Sequence, residues 1–136
     1  MTQFERAVKA SPLLRNFYQR GLQALRSDNR AKIHCKNPGK LTGSVDLDRG
    51  LAKALPNDRR WDYGIDYRRS SRELAIWVEF HPASSSNVGE VLKKLEWLKT
   101  RLENQAPELW SMSGGRFFWV ATDGCISLKD PHKLGG

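Results

Sequence analysis

The chain has 136 residues, of which 39% are hydrophobic and 28% charged. That length supports one core of ordinary size, and that balance excludes a disordered chain. No run approaches the roughly 18 consecutive apolar residues of a membrane helix, and the first ten residues, MTQFERAVKA, carry charge where a signal core is apolar. A cytoplasmic protein with no membrane partner is therefore expected. Cys35 and Cys125 lie far apart, outside any CxxC or Cys/His zinc spacing. Both are expected to be reduced and structural, with a reactive thiol as the lesser alternative.

The formal net charge is +8, and it is uneven. Residues 1–45 hold Arg6, Lys9, Arg15, Arg20, Arg26, Arg30, Lys32, Lys36 and Lys40 against only Glu5 and Asp28. The remaining residues are nearly neutral. A basic segment attached to a balanced domain is the footprint of a surface that follows phosphates. Arg15, Arg20, Arg26, Arg30, Lys32 and Lys36 are therefore candidate nucleic-acid contacts; the competing explanation is charge that serves solubility alone.

Without repeats or long linkers, the chain reads as a single domain over 1–136. It divides into a basic helical or irregular segment (1–43), an α/β core (44–128) and a tail (129–136). Ser11-Pro12 has the form of an N-cap followed by proline in the first turn. Leu14, Phe17, Tyr18, Gly21, Leu22 and Leu25 then recur at helical spacing, which predicts a helix. Residues 27–43 are rich in turn formers, with a short strand expected near Ile33. Ser44 is positioned to cap a second helix, with Asp46 and Asp48 in its first turn and Pro56 at its end.

Strict alternation follows. Trp61, Tyr63, Ile65 and Tyr67 oppose Asp62, Gly64 and Asp66; Leu74, Ile76, Val78 and Phe80 oppose Ala75, Trp77, Glu79 and His81. Period-two patterns mark strands with distinct faces. A turn at Ser70-Ser71 pairs Trp61 with Phe80, Tyr63 with Val78, Ile65 with Ile76 and Tyr67 with Leu74, placing all eight apolar side chains on one face. Asn87 and Glu90 then open a helix carrying Val88, Val91, Leu92, Leu95, Leu98 and Leu102, which ends before Pro107. Phe117 to Thr122 is a further strand. Asp123-Gly124 is expected to turn it back onto a partner from Cys125 to Leu128, and KDPHKLGG to form a frayed tail.

The same register sets Asp62 opposite Glu79, with His81 two residues on. Like charges directly across a ladder repel, so this pair needs a compensating cation, and carboxylate oxygens suit Mg²⁺ or Mn²⁺. His81 is placed to orient a water or share its proton. Bland readings stand beside these: Asp62 and Asp66 as solvated sheet residues, Glu79 paired with an arginine such as Arg116, His81 as a strand-end histidine. Trp77 is expected to pack under a helix, or else to stack on a base.

A strand bearing Asp62, a hairpin, a strand bearing Glu79-Phe80-His81, a helix from Val88 and a strand from Phe117 resembles the PD-(D/E)xK (restriction-endonuclease-like) nuclease superfamily over about residues 44–122. The resemblance implies a small mixed α/β (α+β) sheet with a central antiparallel hairpin flanked by helices. It also implies Asp62 and Glu79 as metal ligands, with Asp66 as a substitute for Asp62. The motif lysine position holds His81, and Trp61 precedes Asp62 where the family has proline. The family tolerates a lysine on the following helix, which makes Lys94 or Lys93 a candidate, and it often adds an acid from an earlier helix, a role open to Asp46 or Asp48.

Three functions are expected from this reading. The first is metal-dependent hydrolysis of DNA or RNA phosphodiesters. The second is a catalytically degenerate relative that binds nucleic acid or a protein, and the third is a protein-interaction domain docking through its basic segment.

Overall fold

A computed structural model describes residues 1–128; the tail expected over 129–136 lies outside the described residues. The elements in chain order are α1 (Gln3–Ala10), β1 (Tyr18–Arg20), α2 (Ser27–Arg30), β2 (Ile33–Cys35), β3 (Leu41–Asp46), α3 (Leu47–Leu51), β4 (Tyr63–Arg69), β5 (Arg72–Phe80), α4 (Val88–Gln105), α5 (Pro107–Ser113), β6 (Phe117–Val120) and β7 (Ile126–Leu128). Five strands form a mixed sheet in the order β1-β3-β4-β5-β6. All neighbours are antiparallel except β5 and β6, which run parallel because α4 and α5 carry the chain back between them. Among the described residues no helix is long and apolar enough to cross a membrane.

The central hairpin follows its alternation. Tyr63 pairs with Val78, Ile65 with Ile76 and Tyr67 with Leu74. Together with Leu25, Ile33, Leu41, Val120 and Leu128 they form an apolar cluster on one face. Trp61 departs from the expected set: β4 begins at Tyr63, and Trp61 is buried in the cluster on the opposite face, with Trp77, Phe4, Leu98, Leu102 and Leu109. That second face lies beneath α1, α4 and α5. Trp77 is fully buried there and donates its indole N–H to Ser113 Oγ at 2.8 Å, so packing is its role. Gly64, its cross-strand partner, leaves room for the ring: a Cβ at Gly64 would stand 2.4 Å from Trp77.

The first third differs most from the sequence reading. Ser11 ends a helix instead of starting one. α1 runs over Gln3–Ala10, with Thr2 accepting the Glu5 N–H, and buries Phe4, Ala7 and Val8. The apolar residues after Pro12 belong to two cores: Leu14 joins the helix-covered face, Leu25 the other. Between them the chain forms edge strand β1 and turns at Gly21, whose φ of +51° a side chain rarely adopts. Ser44 lies inside β3; the helix that follows is capped by Asp46, whose Oδ1 accepts from the Arg49 N–H at 2.8 Å. The expected strand near Ile33 is present as β2. Its partner is β7, in parallel. The hairpin expected around Asp123-Gly124 is therefore not formed, and β7 joins β2 over the apolar face of the central hairpin, where Ile33 and Leu128 are buried. α4 matches its expected span, although Val88 and Leu92 of its stripe are exposed, and α5 was not foreseen.

Candidate functional site

Glu79 is completely buried on β5, an interior strand under α4. An isolated carboxylate in that position would be costly, and the local partners explain how it persists. Oε1 accepts the backbone N–H of Asp62 at 3.1 Å. Oε2 accepts from Lys94 Nζ at 2.6 Å and lies 3.3 Å from His81 Nδ1. The lysine reaches down from the second turn of α4, and no arginine is involved: Arg116 instead donates to the Ser113 carbonyl. Burial pulls the Lys94 pKa down, but its bond to Glu79 outweighs this and raises it, so Lys94 keeps its proton. Burial raises the pKa of Glu79 against the pull of the same lysine.

Asp62 sits just before β4, with Oδ2 accepting the Phe80 N–H at 2.8 Å. Asp62 and Glu79 thus each accept a backbone N–H from the other's strand segment. Its backbone carbonyl accepts from Leu47 N at 2.8 Å and Asp48 N at 3.4 Å, tying the start of α3 to the start of β4. Arg60 reinforces this, donating to the Asp48 carboxylate and carbonyl and to the carbonyls of Leu55 and Pro56. Burial, then the charge of Glu79, push the Asp62 pKa up to about 7. The charged form of Asp62 is thus disfavoured first by its lost hydration and only then by Glu79.

Asp62 opens onto a cleft of about 500 Å³, whose lining includes Asp46, Asp48, Arg26, Lys32 and Arg49. Asp46 at the cap of α3 and Asp48 in its first turn, the two acids expected to be available here, both line it. Of the six basic candidates, the cleft takes Arg26 and Lys32. Lys32 donates to the Thr122 carbonyl and lies 5.7 Å from the Phe80 ring centre. Arg15, Arg20 and Lys36 are exposed but do not line the cleft, and Arg30 donates to the Leu25 carbonyl. Arg49, in the segment 46–49 (Asp-Leu-Asp-Arg), joins the cleft unforeseen; only the fold brings this helix end against Asp62.

The structure therefore gathers Asp62, Glu79, His81 and Lys94 and leaves Asp66 outside as a metal ligand. Asp66 lies four residues up β4, about 13 Å along the strand, completely buried. Oδ2 accepts from Thr42 Oγ1 at 2.5 Å, while Oδ1 finds no donor among the described residues. Burial, with the neighbouring Glu73 adding to it against the Thr42 bond, raises its pKa to about 7. Glu73's two oxygens accept the N–H groups of Gln3 and Phe4 and so hold the start of α1. Lys93, the other helix lysine, is exposed.

Among the described residues no three or more His, Cys, Asp or Glu side chains converge into a metal-binding group of their own. Mg²⁺ typically takes one or two carboxylates and completes its shell with water and substrate phosphate. Asp62 lines the cleft with two further carboxylates, Asp46 and Asp48, hard oxygen donors that fit that chemistry, and Glu79 is bonded to its backbone from the interior. Comparison of the chain with protein-family models, with curated proteins and with solved structures returned no match.

Proposed function

We propose that the chain is a metal-dependent nuclease-like hydrolase acting on the phosphodiesters of DNA or RNA. The reading is carried by one observation: Asp62 lines a cleft whose wall also carries Arg26, Lys32 and Arg49, and its backbone is bonded to the buried Glu79 that holds Lys94. The order of elements supports the PD-(D/E)xK resemblance, with an Asp at the start of one hairpin strand, Glu79 on the next, then helix α4 and parallel strand β6. The motif lysine would be Lys94, supplied by the helix, with His81 beside it.

Asp62 and Glu79 would hold Mg²⁺ or Mn²⁺, which supplies Lewis-acid polarisation of the phosphodiester and its water. Arg26, Lys32 and Arg49 bind the backbone phosphates. Lys94, protonated, cannot act as a base; it fixes Glu79 and donates a hydrogen bond to the attacking water. Attack forms one P–O bond and breaks the bond to the leaving oxygen, and the water's proton passes to the His81 imidazole.

The test is cleavage of labelled single- and double-stranded DNA and RNA with Mg²⁺, Mn²⁺ or EDTA. Divalent-dependent cleavage that disappears in Glu79→Gln and Asp62→Asn is expected. Salt-sensitive binding without cleavage under any condition would replace this reading with the non-catalytic relative. Failure to bind any of the four substrates would leave only protein docking.

A further inference from the structure

Tyr63 follows Asp62 directly and begins β4. It lines the cleft, yet only 3% of it is exposed, with its ring edge to face against Phe80 at 5.9 Å. Its hydroxyl end meets the wall opposite. The oxygen accepts the side-chain amide of Asn29 at 3.0 Å and the backbone N–H of Arg26 at 3.4 Å, and both residues line the same cleft. A phenol oxygen offers two lone pairs and one proton, and it keeps that proton through the neutral range. Both lone pairs are taken. Among the described residues no acceptor takes the proton.

The two accepted bonds have a structural value of their own, because they pin the segment carrying Arg26 to the residue after Asp62. They do not account for the remaining donor. A buried hydroxyl proton forfeits the hydrogen bond it had in water unless a group entering the cleft accepts it. The carboxylates around it already have protein partners. Asp28 lies 3.5 Å from Arg26 Nε, Asp46 accepts the Arg49 N–H, Asp48 accepts from Arg60, and Asp62 accepts the Phe80 N–H. The acceptor must therefore come from the ligand, and it arrives among the cations of Arg26, Lys32 and Arg49. A phosphoryl group matches that setting: its oxygens only accept, they carry negative charge, and several donors can share them.

We infer that the Tyr63 hydroxyl is a binding group of the cleft, donating its hydrogen bond to a phosphoryl oxygen of the ligand. That the phosphate belongs to a nucleic-acid strand rests on the proposed nuclease reading. The donor itself concerns binding and not hydrolysis.

The experiment measures binding in EDTA at pH 6 with two sources of phosphate. One is fluorescently labelled 12-nucleotide DNA and RNA; the other is inorganic tripolyphosphate, which has neither base nor sugar, followed by calorimetry. Tyr63→Phe keeps the buried ring and its contact with Phe80, and is expected to weaken binding by about tenfold to 150-fold, as for a lost hydrogen bond to a charged acceptor. Asn29→Ala removes a bond that the hydroxyl accepts but leaves its proton, and is expected to bind as wild type does. Placing 3-fluorotyrosine at position 63 makes the phenol a stronger donor and a weaker acceptor. Binding is then expected to tighten, whereas a purely structural acceptor would weaken it.

Equal affinity of Tyr63→Phe and wild type for both phosphate sources overturns the inference. So does an equal loss in Asn29→Ala, or weaker binding with fluorotyrosine. The two proposals fail separately. Tripolyphosphate binding that needs Tyr63, with no strand bound or cut, keeps the donor and removes the nuclease. Metal-dependent cleavage with binding indifferent to Tyr63 does the reverse. A loss in Tyr63→Phe on strands, with tripolyphosphate not bound, assigns the donor to the nucleic-acid backbone, and no binding of either probe removes both proposals.

Discussion

The two faces of β4 and β5 are both hidden from solvent, yet their chemistry differs. One presents Tyr63, Ile65, Tyr67, Leu74, Ile76 and Val78, filled by ordinary apolar packing. The other presents Gly64, Asp66, Ala75, Trp77 and Glu79 beneath the helices, and places two carboxylates where water cannot reach them. The first face gains its stability by exclusion of water from hydrocarbon. On the second, stability depends on named partners: Lys94 for Glu79, Thr42 for Asp66, Ser113 for the Trp77 indole. Polar residues that alternate along a strand are thus not always the solvated side; here they lie beneath the helices.

That contrast can be broken by mutation. The largest effect is expected from Lys94→Met, which strands the fully buried Glu79 charge. Loss of one partner of a buried pair costs about 3–5 kcal/mol, whereas Lys94→Met combined with Glu79→Gln should recover part of it. Urea denaturation of both variants checks this, and equal destabilisation by the single and double changes would remove the ion pair from the account.

On the apolar face Ile65→Ala is expected to cost about 2–4 kcal/mol through the cavity left behind, with no change in how stability varies with pH. Gly64→Ala should cost about 1–3 kcal/mol, because its methyl must displace the buried Trp77 ring; a thermal melt no lower than wild type would refute that contact.

The most subtle prediction is a slope. The folded-state pKa of Asp66, about 7, lies above its ordinary value near 3.8. The folded state therefore holds the proton more tightly, and the contribution is fully present below about pH 4 and lost as pH rises through 7. Asp66→Asn should flatten stability over that window. It should not abolish the slope, since Asp62 titrates in the same range. A pH profile of urea midpoints identical to wild type would contradict the raised pKa of Asp66.

How much of this was legible varies along the chain for physical reasons. The hairpin register could be read because a one-residue slip would expose every apolar side chain. The closeness of Asp62 and Glu79 followed from it. The α4 span was legible from its stripe, and Lys94 was in view as the alternative to His81; which lysine reaches Glu79 depends on the helix's rotation, which spacing alone does not give. The first third was misread because Leu14 and Leu25, at helical spacing in sequence, are shared between two different cores. The true helix carried its own signature in Thr2 and Glu5, three apart, with Phe4, Ala7 and Val8 on one side. The pairing of β2 with β7 had no local signal, since its register is set by distant segments.

That remote pairing has a consequence for the order of assembly. Lys32 and Thr122 are ninety residues apart in sequence, whereas the β4–β5 hairpin closes over a few. Loop-closure entropy favours the short contact first, so the carboxylates should be in place while the basic wall of the cleft is still open. Closure of that basic wall would then come last, when β7 locks against β2.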